Sequence, residues 1–128
     1  MKRKKILIVD DEGAFTRMMK LVLEKTGQYE VFFENNAHQA LAAARACQPD
    51  LILLDVVMPE MDGGDVAALL RQDSLLKDIP IVFLTALTSD SKPGDDVIMV
   101  GGEAYPAISK MMDQAEIAKK VGTYLGGG

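Results

Sequence analysis

Residues 51–63 read Leu-Ile-Leu-Leu-Asp-Val-Val-Met-Pro-Glu-Met-Asp-Gly, and this stretch decides the fold class. Its first four residues are aliphatic, a run too short for an isolated helix and typical of a strand buried on both faces of a parallel sheet. The run ends on Asp55, which predicts a carboxylate at the carboxyl edge of the sheet, where open α/β folds place their ligand sites. Met58-Pro59 and Asp62-Gly63 indicate turns that bring the chain back over that edge.

The rest of the chain alternates between predicted strands and predicted helices. The other strands are predicted at Lys4 to Val9, Tyr29 to Glu34, Ile81 to Leu84 and Ala107 to Ser109. Between them lie helical patterns whose predicted inner faces are Phe15, Met18, Met19 and Val22; then Ala37, Ala40, Leu41 and Ala44; and, in the last helix, Ile117, Val121 and Leu125. A short helix is also expected from about Gly64 to Gln72. Strands alternating with helices of this length favour right-handed parallel crossovers, hence a doubly wound sheet with helices on both faces. We expect residues 1–128 to form one domain.

The segment between Thr85 and Lys110 departs from this regularity. It contains Pro93-Gly94, Gly101-Gly102 and Pro106, too many helix breakers for a full-length helix. Val97 to Val100 could be a short extra strand or one or two turns of helix, and a strand or irregular segment is favoured.

Composition limits the classes of function. The net charge of -5 argues against nucleic acid as a partner, because phosphate binding needs a basic face. The basic cluster at residues 2–5 is interpreted as a solvated flank before a buried strand. Cys47 is the only cysteine, which excludes an internal disulfide and fits a reducing cytoplasm. No stretch is long and apolar enough to predict a membrane span.

Each polar residue at a strand end has a structural explanation when taken alone. Asp10 and Asp11 could cap the first helix, Thr85 could cap another, and Lys110 could be a solvated lysine. However, parallel strands place their carboxyl ends on one rim, so Asp10, Asp11, Asp55, Thr85 and Lys110 are expected to converge. Crowded carboxylates repel one another unless a cation neutralises them, and an all-oxygen cluster suits Mg²⁺ better than zinc. Together with a lysine and a hydroxyl, such a cluster has the groups that phosphoryl transfer needs, and Asp55 is the candidate nucleophile.

These residues resemble the receiver domain of two-component response regulators. The resemblance rests on Asp10-Asp11, the segment from Asp55 to Gly63, Thr85-Ala86 and Lys110, and it extends over essentially the whole chain. It implies a flavodoxin-like (βα)5 fold with strand order 2-1-3-4-5. It also implies that Asp55 accepts a phosphoryl group from a histidine kinase or phosphotransfer protein and switches a surface for a downstream protein partner. Asp11, Asp55 and the Val57 carbonyl would then ligate Mg²⁺, with Asp10 acting through water, and Thr85 and Lys110 would bind the phosphoryl oxygens.

The sequence differs from the family pattern at three places. Met111 replaces the usual proline after the lysine, and a cis bond before a non-proline residue costs about 2.5 to 4 kcal/mol; we therefore predict a trans Lys110-Met111 bond. Ala107 occupies the usual position of the switch aromatic, so either Tyr105 substitutes through a shifted backbone or the coupling between threonine and aromatic is absent. The breakers within residues 89–102 predict an atypical or shortened fourth helix.

Two other classes of function were weighed against a phosphoaccepting switch. A pseudo-receiver would act only as a constitutive protein-interaction module; the odd segment before Lys110 favours it, and the intact acids, Thr85 and Lys110 oppose it. A Mg²⁺-dependent phosphatase generally needs a substrate-covering cap, for which this chain has no room. We therefore expect no enzyme that turns over a free substrate. His38, the only histidine, is expected to be a solvated side chain.

Overall fold

The computed structural model describes residues 3–86 and 97–125. Within them the strands are β1 (Lys4–Val9), β2 (Tyr29–Glu34), β3 (Leu51–Asp55), β4 (Ile81–Thr85), β5 (Val97–Val100) and β6 (Glu103–Ser109). The helices are α1 (Gly13–Glu24), α2 (Ala40–Cys47), α3 (Gly63–Gln72) and α4 (Gln114–Tyr124), and a 3₁₀ turn over Ala37–Gln39 precedes α2. None of the helices in this part of the chain has the length and apolar character needed to cross a bilayer.

The strands form one sheet in the order β2-β1-β3-β4-β6-β5. The first five of these are parallel to their neighbours, and β6 takes the place of the predicted fifth strand. The predicted flavodoxin-like fold and the order 2-1-3-4-5 are therefore confirmed for the core of the sheet. The sheet differs from the prediction by one strand, because β5 is added at the edge and pairs antiparallel with β6.

The central strands β1, β3 and β4 each contain four consecutive apolar residues, because both of their faces are covered. Side chains alternate between the faces of a strand, so Ile52 and Leu54 of β3 pack with α2 and α3, whereas Leu51 and Leu53 pack with α1 and α4. The same alternation holds in β1 and β4. This two-sided packing confirms the predicted doubly wound arrangement and fixes which residues emerge at the carboxyl edge.

The inner face of α1 agrees in part with the predicted one, because Met19 is buried and Phe15 and Met18 pack against the core. Thr16, Met19 and Leu23 are fully buried, whereas Val22, which was predicted to face inward, is only half-buried. Thr16 can be buried because its hydroxyl donates to the Gly13 carbonyl at 3.0 Å. Because Thr16 is polar, a prediction based on apolar residues alone does not include it in the buried face.

β5 and β6 form an antiparallel hairpin at the edge of the sheet. Gly101 and Gly102 form its turn with φ angles of 58° and 84°, as a two-residue hairpin turn of type I′ requires. The preference for a strand over Val97 to Val100 is confirmed. The parallel pairing of β6 with β4 covers Ala107 to Ser109, as predicted, and β6 extends back to Glu103 to pair with β5. The segment predicted to hold an atypical or shortened fourth helix, residues 89–102, lies outside the described residues as far as residue 96. From Val97 onward the predicted segment is strand and turn.

Tyr105 is the aromatic residue of the final parallel strand, and it is buried. It lies on the same side of β6 as Ala107, two residues earlier, and its ring packs edge-on against Phe83 with the centroids 5.1 Å apart. Arg71 of α3 lies 5.6 Å from the ring centroid. The position that the family pattern gives to an aromatic is occupied by Ala107 and is buried too. The aromatic side chain of this strand therefore lies two residues farther from Lys110 than the family pattern places it.

We expect Tyr105→Leu to lower the free energy of unfolding by about 1.5 kcal/mol, because the edge-on contact and part of the buried area are lost. Urea unfolding followed by far-ultraviolet circular dichroism measures this change. Val97→Leu, at an exposed position on the other side of the hairpin, is the control and should leave stability within about 0.5 kcal/mol. A Tyr105→Leu protein as stable as the wild type would contradict the packing role of the ring.

Candidate functional site

The carboxyl edge of the sheet brings together residues that are distant in sequence. Asp10 follows β1, Asp55 ends β3, Thr85 ends β4 and Lys110 follows β6. One carboxylate oxygen from each of Asp10, Asp11 and Asp55 lies within 4.8 Å of the others. The structure thus places the predicted acids and the lysine in one site, and Thr85 at the same edge.

Lys110 is the cation of this site. Its Nζ lies 2.8 Å from Oδ2 of Asp10 and 3.9 Å from Oδ2 of Asp55, and it also contacts Oε1 of Glu12. The Phe15 ring lies on another side, with its centroid 4.7 Å from Nζ. Burial disfavours the charged lysine, but its contacts with Asp10 and Glu12 outweigh burial, so the pKa of Lys110 is raised. Lys110 therefore carries its charge while its side chain is only 7% exposed.

Backbone hydrogen bonds fix the chain ends that carry these side chains. The Lys110 amide donates to the Thr85 carbonyl at 2.8 Å, which continues the pairing of β4 with β6. No peptide bond among the described residues is cis, which confirms the predicted trans Lys110-Met111 bond. The position of Lys110 thus follows from the strand register and needs no proline after the lysine.

The loop after Asp55 is closed by its own backbone. The Gly63 amide donates to the Val56 carbonyl at 2.8 Å, and Asp62 caps α3 by accepting from the Asp65 amide at 2.9 Å. A Cβ on Gly63 would lie 2.3 Å from the Asp55 carbonyl oxygen, so this close approach requires glycine. Val57 lies in this loop with its side chain 76% exposed.

Asp10 is fully buried and only partly satisfied by hydrogen bonds. Its Oδ1 accepts from the Glu12 amide at 2.9 Å, and its carbonyl accepts from Asn35 Nδ2 at 2.8 Å. Its Oδ2 makes no hydrogen bond, although Lys110 lies at ion-pair distance. The ammonium of Lys110, 2.8 Å away, is therefore the charge that offsets the burial of this oxygen.

Asp55 has the perturbed carboxyl of the site. Burial first, and then the nearby charge of Asp10, raise the pKa of Asp55 to about 7 against the opposing effect of Lys110. Asp11 adds to the upward shift. The site therefore has more carboxylate charge than Lys110 neutralises.

The donor set fits a hard divalent cation. Three carboxylates contribute oxygen atoms within 4.8 Å of one another, and Mg²⁺ prefers oxygen ligands and is commonly bound through one or two carboxylates. The fit rests on this donor chemistry.

Three neighbours of the site were not assigned to it from the sequence. Phe15 is predicted only as a residue of the inner face of α1 and Gly63 only as part of a turn, and nothing in the pattern singles out Glu12. Spacing along the chain gave no signal for the contacts of Glu12 and Phe15, because both depend on where Lys110 arrives from β6. The Asp-Gly pair was a signal for a turn but not for its close approach to Asp55.

His38 Nε2 lies near Oε2 of Glu60, a residue of the loop that follows Asp55. Their side chains lie 3.5 Å apart and are 49% and 71% exposed. The expectation that His38 is solvated agrees with this exposure.

Comparison with known proteins addresses the resemblance noted in the sequence. A family model described as response regulator receiver domain matches residues 6–122. The transcriptional regulatory protein YvrH of Bacillus subtilis (strain 168) is 38% identical over 125 residues, which make up 98% of this chain and 50% of that protein. The DNA-binding response regulator MtrA of Mycobacterium tuberculosis (strain ATCC 25618 / H37Rv) is 43% identical over 86 residues, 67% of this chain and 36% of that protein. The chain thus spans about half, or less, of the length of these curated relatives.

Two solved structures illustrate the similarity in fold. The chemotaxis protein CheY4 of Vibrio cholerae matches with a TM-score of 0.79 at 30% identity, covering 95% of this chain and 98% of that chain. The signal receiver domain of a signal transduction histidine kinase from Syntrophus aciditrophicus matches with a TM-score of 0.76 at 34% identity, covering 97% and 91% of the two chains. The family match, these relatives and the fold agree, and the chain belongs to the response regulator receiver domain family.

Proposed function

We propose that Asp55 is the phosphoacceptor of this receiver domain and that its phosphorylation switches a protein-interaction surface. The observation that carries the assignment is the placement of Asp55 at the end of a central strand, beside two other acids and 3.9 Å from the ammonium of Lys110. A receiver domain is a signalling switch and not a metabolic enzyme. In this proposal the chain modifies itself and turns over no free substrate.

The proposed transfer takes a phosphoryl group from a phosphohistidine. An oxygen of the Asp55 carboxylate attacks phosphorus, and a P–O bond forms while the P–N bond to the donor imidazole breaks. The electron pair stays on the imidazole nitrogen, which takes up a proton. Asp55 must be ionised to attack, so a neighbouring positive charge that favours its carboxylate form also favours the reaction.

Lys110 and Thr85 are assigned to the oxygens of the phosphoryl group. The Lys110 ammonium is charged and already within 3.9 Å of Asp55, so it can donate to an oxygen of a group bound there. Thr85 ends the neighbouring strand, paired with Ser109, at the same edge. The two residues would report the arrival of the phosphoryl group to β4 and β6.

The metal assigned to the site is Mg²⁺. Asp11, Asp55 and the Val57 carbonyl would hold it directly and Asp10 through water. When bound, Mg²⁺ offsets the negative charge of the acids and of the phosphoryl group. Three carboxylates beside the single ammonium of Lys110 support this assignment.

The proposed partners are proteins. They are a sensor histidine kinase or a phosphotransfer protein as donor, and a downstream protein as receiver of the signal, in the cytoplasm. The net charge of -5 argues against nucleic acid as a partner, and we assign this domain neither nucleic-acid nor membrane binding. We treat residues 1–128 as one receiver domain.

Phosphorylation by a small donor tests the proposal directly. We expect acetyl phosphate with Mg²⁺ to add one phosphoryl group per chain, detected as a shift in intact mass, because the small donor needs only the groups of the site. Peptide mapping should place the added group on the peptide that contains Asp55. The same incubation with a chelator in place of Mg²⁺ should leave the mass unchanged.

Two results would contradict the proposal. One is a chain that neither gains mass nor binds beryllofluoride, a mimic of the phosphoryl group, in the presence of Mg²⁺. The other is a stable phosphoryl group on a peptide that lacks Asp55.

A further inference from the structure

The ammonium of Lys110 lies closer to Asp10 than to Asp55. Its Nζ is 2.8 Å from Asp10 and in contact with Glu12, whereas Asp55 is farther away, at 3.9 Å. The Phe15 ring closes a further side of the ammonium. The lysine is thus drawn toward the start of α1 and away from the proposed phosphoacceptor.

Glu12 differs from Asp10 in how firmly it is held. The Asp10 side chain is fully buried, but that of Glu12 is 62% exposed. The Glu12 amide donates to Asp10 Oδ1 at 2.9 Å, which fixes the backbone while the side chain reaches outward to Lys110. Water can solvate the exposed Glu12 carboxylate, and Asp10 keeps its own contact with the ammonium, so Glu12 can release Lys110 at small cost.

We propose that Glu12 is a positioning residue that holds Lys110 off Asp55 and competes with the phosphoryl group for its ammonium. This inference rests on the proposed function of Asp55. A phosphoryl group carries more negative charge and more acceptor oxygens than one exposed carboxylate. Once the group is on Asp55, the Lys110 ammonium therefore binds it in preference to Glu12. Glu12 therefore slows phosphorylation and weakens retention of the phosphoryl group, and it takes no part in metal binding.

The bond changes are unaffected by Glu12. With acetyl phosphate as donor, an oxygen of Asp55 attacks phosphorus, the bond between phosphorus and the acetyl oxygen breaks, and acetate leaves with the electron pair. During this step Glu12 exchanges its contact with the ammonium for water.

Two substitutions separate the contact from the charge. Glu12→Gln removes the negative charge and keeps the length of the side chain, whereas Glu12→Asp keeps the charge and shortens the reach by one methylene. Glu30→Gln removes the same charge from an exposed position on β2 and serves as the control. Three properties are measured for each protein: the phosphorylation rate with acetyl phosphate and Mg²⁺, the affinity for beryllofluoride with Mg²⁺, and the affinity for Mg²⁺ alone by calorimetry.

We expect both Glu12 variants to be phosphorylated about threefold faster than the wild type and to bind beryllofluoride about threefold more tightly, in keeping with an exposed ion pair. Glu12→Asp should keep the wild-type affinity for Mg²⁺, and Glu30→Gln should match the wild type in all three properties. Equal Mg²⁺ affinity with higher beryllofluoride affinity is a combination that a loss of local structure does not produce.

Several results would overturn the inference. Wild-type rates in both Glu12 variants would show that the contact does not restrain Lys110. A gain in Glu12→Gln alone would show a general effect of charge. Slower phosphorylation with a tenfold or greater loss of Mg²⁺ affinity in both variants would make Glu12 a metal ligand. These failures are seen against a wild type that is phosphorylated, whereas a wild type that is not phosphorylated removes the proposed function as well.

Discussion

Asp55→Asn is expected to abolish phosphorylation by acetyl phosphate and, at the same time, to stabilise the Mg²⁺-free protein by about 2 kcal/mol at pH 8. The loss of phosphorylation follows from the assignment of Asp55 as nucleophile, because the amide has no carboxylate oxygen to attack phosphorus. The gain in stability follows from the position of the carboxyl, which is buried among other acids that Lys110 only partly neutralises.

The direction of the pH dependence follows from the raised pKa. The pKa of Asp55 is about 7 in the folded protein, mainly because of burial, against an ordinary value of 3.8. Between these values the folded state retains a proton that the unfolded state has lost, so stability falls as the pH rises. Above about pH 7 the stability of the wild type is lowered by the full cost of burying the charged Asp55 carboxylate, whereas the Asn variant has no charge at this position. The difference between the two proteins should therefore shrink as the pH is lowered toward 4.

Mg²⁺ should reverse the order of stability. A ligand that binds only the folded state stabilises it, and the gain grows with the logarithm of the ligand concentration once this exceeds the dissociation constant. The wild type should gain more than the variant from Mg²⁺, because it keeps the Asp55 carboxylate as a ligand. Urea unfolding at pH 8, with and without Mg²⁺, measures both effects. Asp78→Asn is the control, because this exposed acid lies outside the site and its loss should change neither stability nor its response to Mg²⁺. A less stable Asp55→Asn protein in the absence of Mg²⁺ would contradict the charge repulsion that we infer.

The fold could be predicted because the signals for it are local. Four aliphatic residues before Asp55, and similar runs elsewhere, mark strands buried on both faces, and the helical patterns between them require parallel crossovers. Those two facts place Asp10, Asp55 and Lys110 on one edge without knowledge of any contact. The residues that define the site were therefore accessible from the sequence.

The contacts within the site could not be predicted in the same way. Glu12 reaches Lys110 across 98 positions of sequence, and that contact depends on the register of β6 against β4 and on side-chain conformations. The added strand β5 was only favoured, because four apolar residues fit a strand or a short helix equally well by periodicity. Thr16 could not be predicted as buried because it is polar; its hydroxyl is satisfied by a local hydrogen bond, which a pattern of apolar residues does not reveal.

Gly63→Ala is the second substitution with a large expected effect, a loss of about 3 kcal/mol in the free energy of unfolding. Its Cβ would lie 2.3 Å from the Asp55 carbonyl oxygen, 3.1 Å from the Val56 Cα and 3.0 Å from Phe83 Cε1. Two of these atoms belong to the backbone at the end of β3, which cannot move without disturbing its pairing with β4. The clash therefore displaces either the start of α3 or the strand end that carries Asp55, and beryllofluoride binding should weaken along with stability.

Gly64→Ala provides a matched comparison one residue later in the same helix. Its Cβ would meet only side-chain atoms, Asp62 Oδ1 and Val100 Cγ1, both at 3.2 Å. Alanine is also favoured over glycine in a helix by about 1 kcal/mol, which offsets a small adjustment of these neighbours. We expect this variant to stay within about 1 kcal/mol of the wild type and to bind beryllofluoride normally. A Gly63→Ala protein as stable as the Gly64→Ala protein would show that the backbone behind Asp55 can shift to admit the Cβ. In that case glycine is not needed at position 63 to hold the phosphoacceptor in place.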